Sequence, residues 1–138
     1  MLVMDATELA AFLDEVFPQV EGAFSIERLE EDELQVRLNV KEHHLRPGGT
    51  VSGPSIFALA DCAVYMALLA HIGREALAVT TSASIDFMRK PAAGRDLIAT
   101  CRLLKVGRVL AVGDVLICSD GEDRVVARAS MTYSIPPK

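Results

Sequence analysis

The sequence predicts an α+β domain in which one antiparallel sheet curls around a single long apolar helix. Three observations carry this: a run of helix formers from Pro54 to Ile72 that is apolar on nearly every side, strand-like alternation before and after it, and breakers that leave short connections between the last strands. At 138 residues the chain suits one domain, 1–138, with enough core to fold without staples.

In chain order, Leu9, Phe12, Leu13 and Val16 make an amphipathic helix of Ala6–Val16, with Asp5 or Thr7 as its cap and Pro18 limiting its reach. A strand begins at Phe24-Ser25-Ile26-Glu27, and Glu31-Asp32 turns the chain. Leu34, Val36, Leu38 and Val40 then alternate with Gln35, Arg37 and Asn39, so the two strands form a hairpin. Lys41 to Ser52, with Pro47-Gly48-Gly49 inside it, is a loop.

Pro54 suits a first helical turn, because the N–H it lacks would be unpaired there, and Gly73 supplies the stop. Four strands follow, at about 77–90, 96–106, 108–119 and 124–135, separated by Pro91-Ala92-Ala93-Gly94, Gly107 and Asp120-Gly121. The short connections make the last three a meander. In the first of the four, Leu77, Val79, Thr81, Ala83, Ile85 and Phe87 share the parity expected to face the helix, and Thr80, Ser82, Ser84 and Asp86 the opposite one. Apolar residues on both faces of 109–117 point to a second subunit covering part of the sheet.

Fourteen basic against nineteen acidic residues give a net charge of −5, which argues against a broad nucleic-acid surface. No basic leader opens the chain, and Asp61 with its flanks argues against a membrane span. Cys62, Cys101 and Cys118 are scattered without a CxxC spacing, so they read as buried apolar residues of a reducing cytoplasm. With His43, His44 and His71 lacking further ligands nearby, no metal site is expected. The residue that stands out is Asp61, an ionisable group in the middle of an apolar helix, where a carboxylate is costly unless it is paired or serves chemistry.

Gly49-Thr50-Val51-Ser52-Gly53-Pro54 followed by Leu59-Ala60-Asp61 resembles the hotdog-fold thioesterases of the PaaI-like type, whose pattern is Asn-x-x-Gly-x-x-His-Gly-Gly and then a helix carrying Leu-Ala-Asp. Ile85–Ala92 and Leu104–Arg108 match that family's strands, so the likeness spans about residues 24–135. Ser52 replaces the family's His, Pro54 its second Gly and Arg46 its Asn, while Gly53 and Asp61 are kept. The resemblance implies hydrolysis of acyl-CoA thioesters at subunit interfaces, with coenzyme A as part of the substrate and no separate cofactor.

Such hydrolysis needs an activated water or a carboxylate nucleophile, and donors for the oxygen that becomes negative. Asp61 takes the first role, as base or as nucleophile. Gly53 takes the second, its N–H standing at the positive end of the helix; the other reading of Gly53-Pro54 is a plain helix start. Thr81 matches a Ser or Thr that positions water in related enzymes, or is a Thr bonded to backbone. Ser52 caps the helix or orients a water. Arg46 holds an acyl-chain carboxylate or the carbonyl, or is solvated. Arg89, Lys90 and Arg108, with Arg95 and Lys105 nearby, fall near the nucleotide phosphates by resemblance and are otherwise ordinary surface charges.

Gly53 and Asp61 are eight residues apart, about 12 Å along one helix, yet both must touch one thioester within about 3 Å. The expected unit is therefore a homodimer, or a dimer of dimers, with Gly53 of one subunit facing Asp61 of its partner. Two other functions compete: a non-catalytic acyl-CoA or lipid-binding hotdog protein, and a hydratase, which would generally use a His as base, whereas neither Asp61 nor Ser52 has a helical His beside it.

Overall fold

The computed structural model describes residues 1–137. Helix α1 (Ala6–Val16) and the hairpin of β1 (Phe24–Leu29) and β2 (Leu34–Leu38) precede the long helix α2 (Gly53–Ile72). Strands β3 (Val79–Phe87), β4 (Leu97–Val106), β5 (Leu110–Ser119) and β6 (Val125–Ser134) follow it. All six strands form one antiparallel sheet in the order β1-β2-β4-β5-β6-β3. The β4-β5-β6 meander is as expected, and β3 returns to the open edge beside β6. This is the hotdog arrangement.

Helix α1 starts on a capping box: the Asp5 carboxylate accepts from the Glu8 N–H at 2.8 Å, and Glu8 accepts in return from the Asp5 N–H at 3.2 Å. Helix α2 is long and apolar enough by composition to cross a membrane, yet it sits in the concavity of the sheet. Leu59, Val64, Met66, Leu68 and Leu69 are fully enclosed there. Gly73 ends it with φ +93°, a conformation that a side chain disfavours, and returns its N–H to Leu69 O at 2.8 Å.

The sheet presses close to α2 at Gly113. A Cβ built there would stand 3.1 Å from Val64 Cγ1 and 3.2 Å from Leu103 Cδ2. Overpacking of this kind typically costs about 1–3 kcal/mol. Gly113→Ala is expected to lose stability on that scale, read as a lower midpoint of chemical denaturation with an unchanged slope.

The strand after α2 departs from the expected parity at one place. Thr80 pairs with Tyr133 and Ser82 with Thr132, so Thr81 is an extra residue in a bulge. Ala83, Ile85 and Phe87 keep the side assigned to them, but N-terminal to the bulge the faces exchange. Thr80 turns in toward α2, and Val79 turns out, 57% exposed.

Candidate active site

The loop of residues 41–52 presents the tip of α2 and is fastened at both ends. His44 is buried, and its Nδ1 accepts from the Lys41 N–H at 2.9 Å, while its carbonyl accepts from the Ser52 N–H at 2.8 Å. Burial, reinforced by the neighbouring His43 and Lys41 charges, holds the His44 imidazole below its ordinary value. Its folded pKa lies below the unfolded one, so the stability it lends is present above the unfolded value of about 6.5 and is lost as pH falls through the folded value. A proton on Nδ1 would also remove the acceptor of the Lys41 N–H. NMR titration is expected to place the His44 midpoint below 6.5, with the Lys41 amide losing exchange protection over the same range; a His44 titrating at or above 6.5 contradicts this.

Ser52 is the N-cap of α2, its Oγ accepting from the Ser55 N–H at 3.4 Å and meeting Ser55 Oγ at 3.0 Å. The next N–H, that of Gly53, has no acceptor among the described residues, and Pro54 has no N–H at all. One donor is thus left open at the positive end of a twenty-residue helix. A Cβ at Gly53 would lie 3.6 Å from the Phe87 ring, which places this tip beside the C-terminal end of β3.

Asp61 lies two turns further along α2 and is partly exposed. Its Oδ1 accepts from Thr80 Oγ1 at 2.5 Å and from the Tyr133 hydroxyl at 2.8 Å. The carboxylate is therefore tied to the N-terminal end of β3, opposite the end that Gly53 touches. Tyr133 is buried, and burial together with the Asp61 charge raises its phenol well above the ordinary range, so it stays a donor.

A cleft of about 300 Å³ opens at Asp61, with Val16, Phe17, Tyr65, Ala78 and Val79 as its largely apolar walls. Tyr65 spends its hydroxyl on Ala76 O at 2.8 Å, stacks on Tyr133 and meets Phe17 edge to face. Cys62 shares the cleft, but burial pushes its thiol up to about 12, which leaves it neutral and a poor nucleophile. Among the described residues, no three His, Cys, Asp or Glu side chains gather as metal ligands.

Thr81 bonds Thr132 O at 3.3 Å and does not contact Asp61; Thr80 does. Arg46 lies in an exposed turn closed by its own carbonyl and the Gly49 N–H at 3.0 Å. Arg89 and Lys90 follow the Phe87 end of β3, with Arg89 Nε donating to Val125 O at 3.1 Å. Arg108 sits in the turn before β5, level with the Val79 end through the pairs Leu110–Ser134 and Ser134–Val79. Within one chain, then, the residues expected to act together fall into two groups, one at each end of β3. Thr80, Tyr133 and Phe17 were not expected. Tyr133 is 72 residues from Asp61 in sequence, and Thr80 is hidden by the bulge.

The family model of the thioesterase superfamily matches residues 48–126. Human acyl-coenzyme A thioesterase 13 is 27% identical over 116 residues, 84% of this chain and 82% of that protein. A Silicibacter protein provisionally assigned as a thioesterase is 65% identical, with a TM-score of 0.94 over 99% of this chain and 95% of its own. A variant of the phenylacetic acid degradation protein PaaI of Thermus thermophilus is 28% identical, with a TM-score of 0.72 over 86% of this chain and 99% of its own.

Proposed function

The chain belongs to the thioesterase superfamily, and from that premise we propose that it hydrolyses acyl-coenzyme A thioesters at two equivalent sites, each shared between the subunits of a homodimer. The observation that carries this reading is the placement of the two groups along β3. Asp61 is tied to Thr80 at one end of the strand, and the open N–H of Gly53 lies beside Phe87 at the other. β3 is one of the two edges of the sheet, with Val79 57% and Phe87 54% exposed and Asp86 as its one charge. Such an edge is a template for pairing with a second strand.

Two copies of β3 paired antiparallel about a two-fold axis set the Thr80 end of one against the Phe87 end of the other. Asp61 of one subunit then faces Gly53 of its partner, which removes the 12 Å difficulty that α2 alone poses. Arg89 and Lys90 arrive with Gly53, and Arg108 lies at the Asp61 end, so cations from both subunits stand ready for the nucleotide phosphates. Exposed Leu104, Val109 and Leu116 suit a further pairing into a dimer of dimers.

Asp61 activates a water, or attacks the carbonyl itself, while the partner's Gly53 N–H stabilises the oxygen that becomes negative. The apolar cleft behind Asp61 takes the acyl group. A panel of acyl-CoAs assayed for thiol release tests the reading. Turnover of at least one member, abolished by Asp61→Asn, is expected; tight binding with no turnover anywhere in the panel contradicts it and identifies a carrier.

A further inference from the structure

We propose that Tyr133 is a positioning residue of this site: with Thr80 it holds Oδ1 of Asp61, and so fixes Oδ2 as the oxygen that takes part in the reaction. The inference rests on the hydrolase reading above and assigns a duty to a residue at the far end of the chain.

A carboxylate has two equivalent oxygens until its surroundings distinguish them. Here both donors converge on one. Thr80 Oγ1 lies 2.5 Å and the Tyr133 hydroxyl 2.8 Å from Oδ1, whereas Oδ2 receives no hydrogen bond among the described residues. The two donors are direct neighbours across the β3–β6 ladder, because the bulge at Thr81 turns Thr80 onto the same face as Tyr133. Tyr133 also lies 3.0 Å from the Asp61 carbonyl oxygen, so its hydroxyl is located against the helix backbone as well as the side chain.

The phenol is not free to leave. Tyr133 is 3% exposed, and its ring stacks on Tyr65 with centroids 6.0 Å apart. Tyr65 is itself anchored through its hydroxyl to Ala76 O. An ionised carboxylate only accepts hydrogen bonds, and burial keeps the phenol protonated with a proton to donate, so the pair is complementary.

The consequence for the chemistry follows directly. As base, Oδ2 takes a proton from water while the water oxygen bonds the carbonyl carbon; the C–S bond then breaks, and the departing thiolate takes that proton. As nucleophile, Oδ2 itself bonds the carbonyl carbon, coenzyme A leaves as thiolate, and a water cleaves the resulting anhydride and protonates the thiolate. In both routes the pinned Oδ1 keeps the acid from rotating, which is where positioning contributes to rate.

Three substitutions separate positioning from packing: Tyr133→Phe keeps the ring, Thr80→Val keeps the volume, and Thr80→Ser keeps the hydroxyl. Each is read by kcat and KM, and by the carbon-13 chemical shift of the Asp61 carboxyl at one fixed pH. Hydrogen bonds to a charged group are worth enough that losing one is expected to lower kcat roughly tenfold to a hundredfold, with KM nearly unchanged. The Asp61 carboxyl signal is expected to move in Tyr133→Phe and Thr80→Val and to return to its wild-type position in Thr80→Ser. An unmoved signal and unaltered kcat in Tyr133→Phe and Thr80→Val overturn the inference and leave the hydrolase reading standing. A wild type that hydrolyses no acyl-CoA removes the hydrolase reading instead, while the chemical shift still decides whether the hydroxyls hold the acid. Should Tyr133→Phe not fold, the Thr80→Val and Thr80→Ser pair carries the same decision.

Discussion

Asp61→Asn is expected to lower kcat by roughly a thousandfold while leaving the fold intact, since a positioned base commonly contributes a hundredfold to ten-thousandfold. Asparagine keeps the shape of the side chain and an oxygen that accepts from Thr80 and Tyr133, so the two hydroxyls that now meet Oδ1 stay satisfied. What it loses is the oxygen able to take a proton or bond carbon. No other group in the cleft replaces it: Cys62 is neutral, and the hydroxyls of Tyr65 and Tyr133 are committed and stay protonated under burial. Steady-state thiol release with the preferred acyl-CoA, beside a thermal melt, makes the measurement. A variant that melts like wild type and turns over within tenfold of it contradicts the assignment.

The second large effect is expected at Gly53, where the proposed oxyanion donor belongs to the backbone. Gly53→Pro deletes the open N–H, and loss of one oxyanion donor costs roughly a hundredfold to a thousandfold in kcat. Gly53→Ala adds a Cβ but keeps the N–H. That Cβ meets the Phe87 ring at 3.6 Å, an ordinary contact, so alanine controls for the side chain. Proline fits the first turn of a helix, and Ser52 before it, at φ −73° and ψ 156°, already has the extended backbone that a following proline requires. Pro54 cannot take over as donor, which makes the dependence on this single N–H sharper than in a helix tip with two. Equal activity in the two variants would remove Gly53 from the chemistry and return it to a helix start.

Most of the architecture was legible because it rests on periodicity. The limits of α1 and α2, the β1–β2 hairpin and the β4-β5-β6 meander follow from apolar spacing and from Gly and Pro breakers. The strand after α2 is shorter than its pattern suggests: Leu77 and Ala78 lie outside the ladder, and past Phe87 the N–H groups of Met88 and Arg89 converge on the single carbonyl of Val126, which ends the regular register. Its parity failed at one residue: a rule of period two has no way to register the bulge at Thr81, and that bulge is what turns Thr80 toward Asp61.

The candidate site was legible only as two residues and a distance. Asp61 stands out as a charge in an apolar helix, Gly53 as a donor before a proline, and helix rise alone says that they do not meet within one chain. Their partners were not legible. Tyr133 and Phe17 reach the cleft through tertiary packing from opposite ends of the sequence, and nothing local marks either. The basic residues were recognisable only as charges; their division between the two ends of β3 comes from strand order.

The central claim is that each site takes its acid from one subunit and its oxyanion donor from the other, and mixed dimers test it most directly. Asp61→Asn and Gly53→Pro chains, each inactive alone, are unfolded and refolded together in equal amounts. A shared site is rebuilt once in every mixed dimer, and the account predicts recovery to roughly a quarter of wild-type activity under random pairing. If native electrophoresis confirms mixed dimers and activity stays at the level of the separate variants, both groups act within one chain and the account is contradicted.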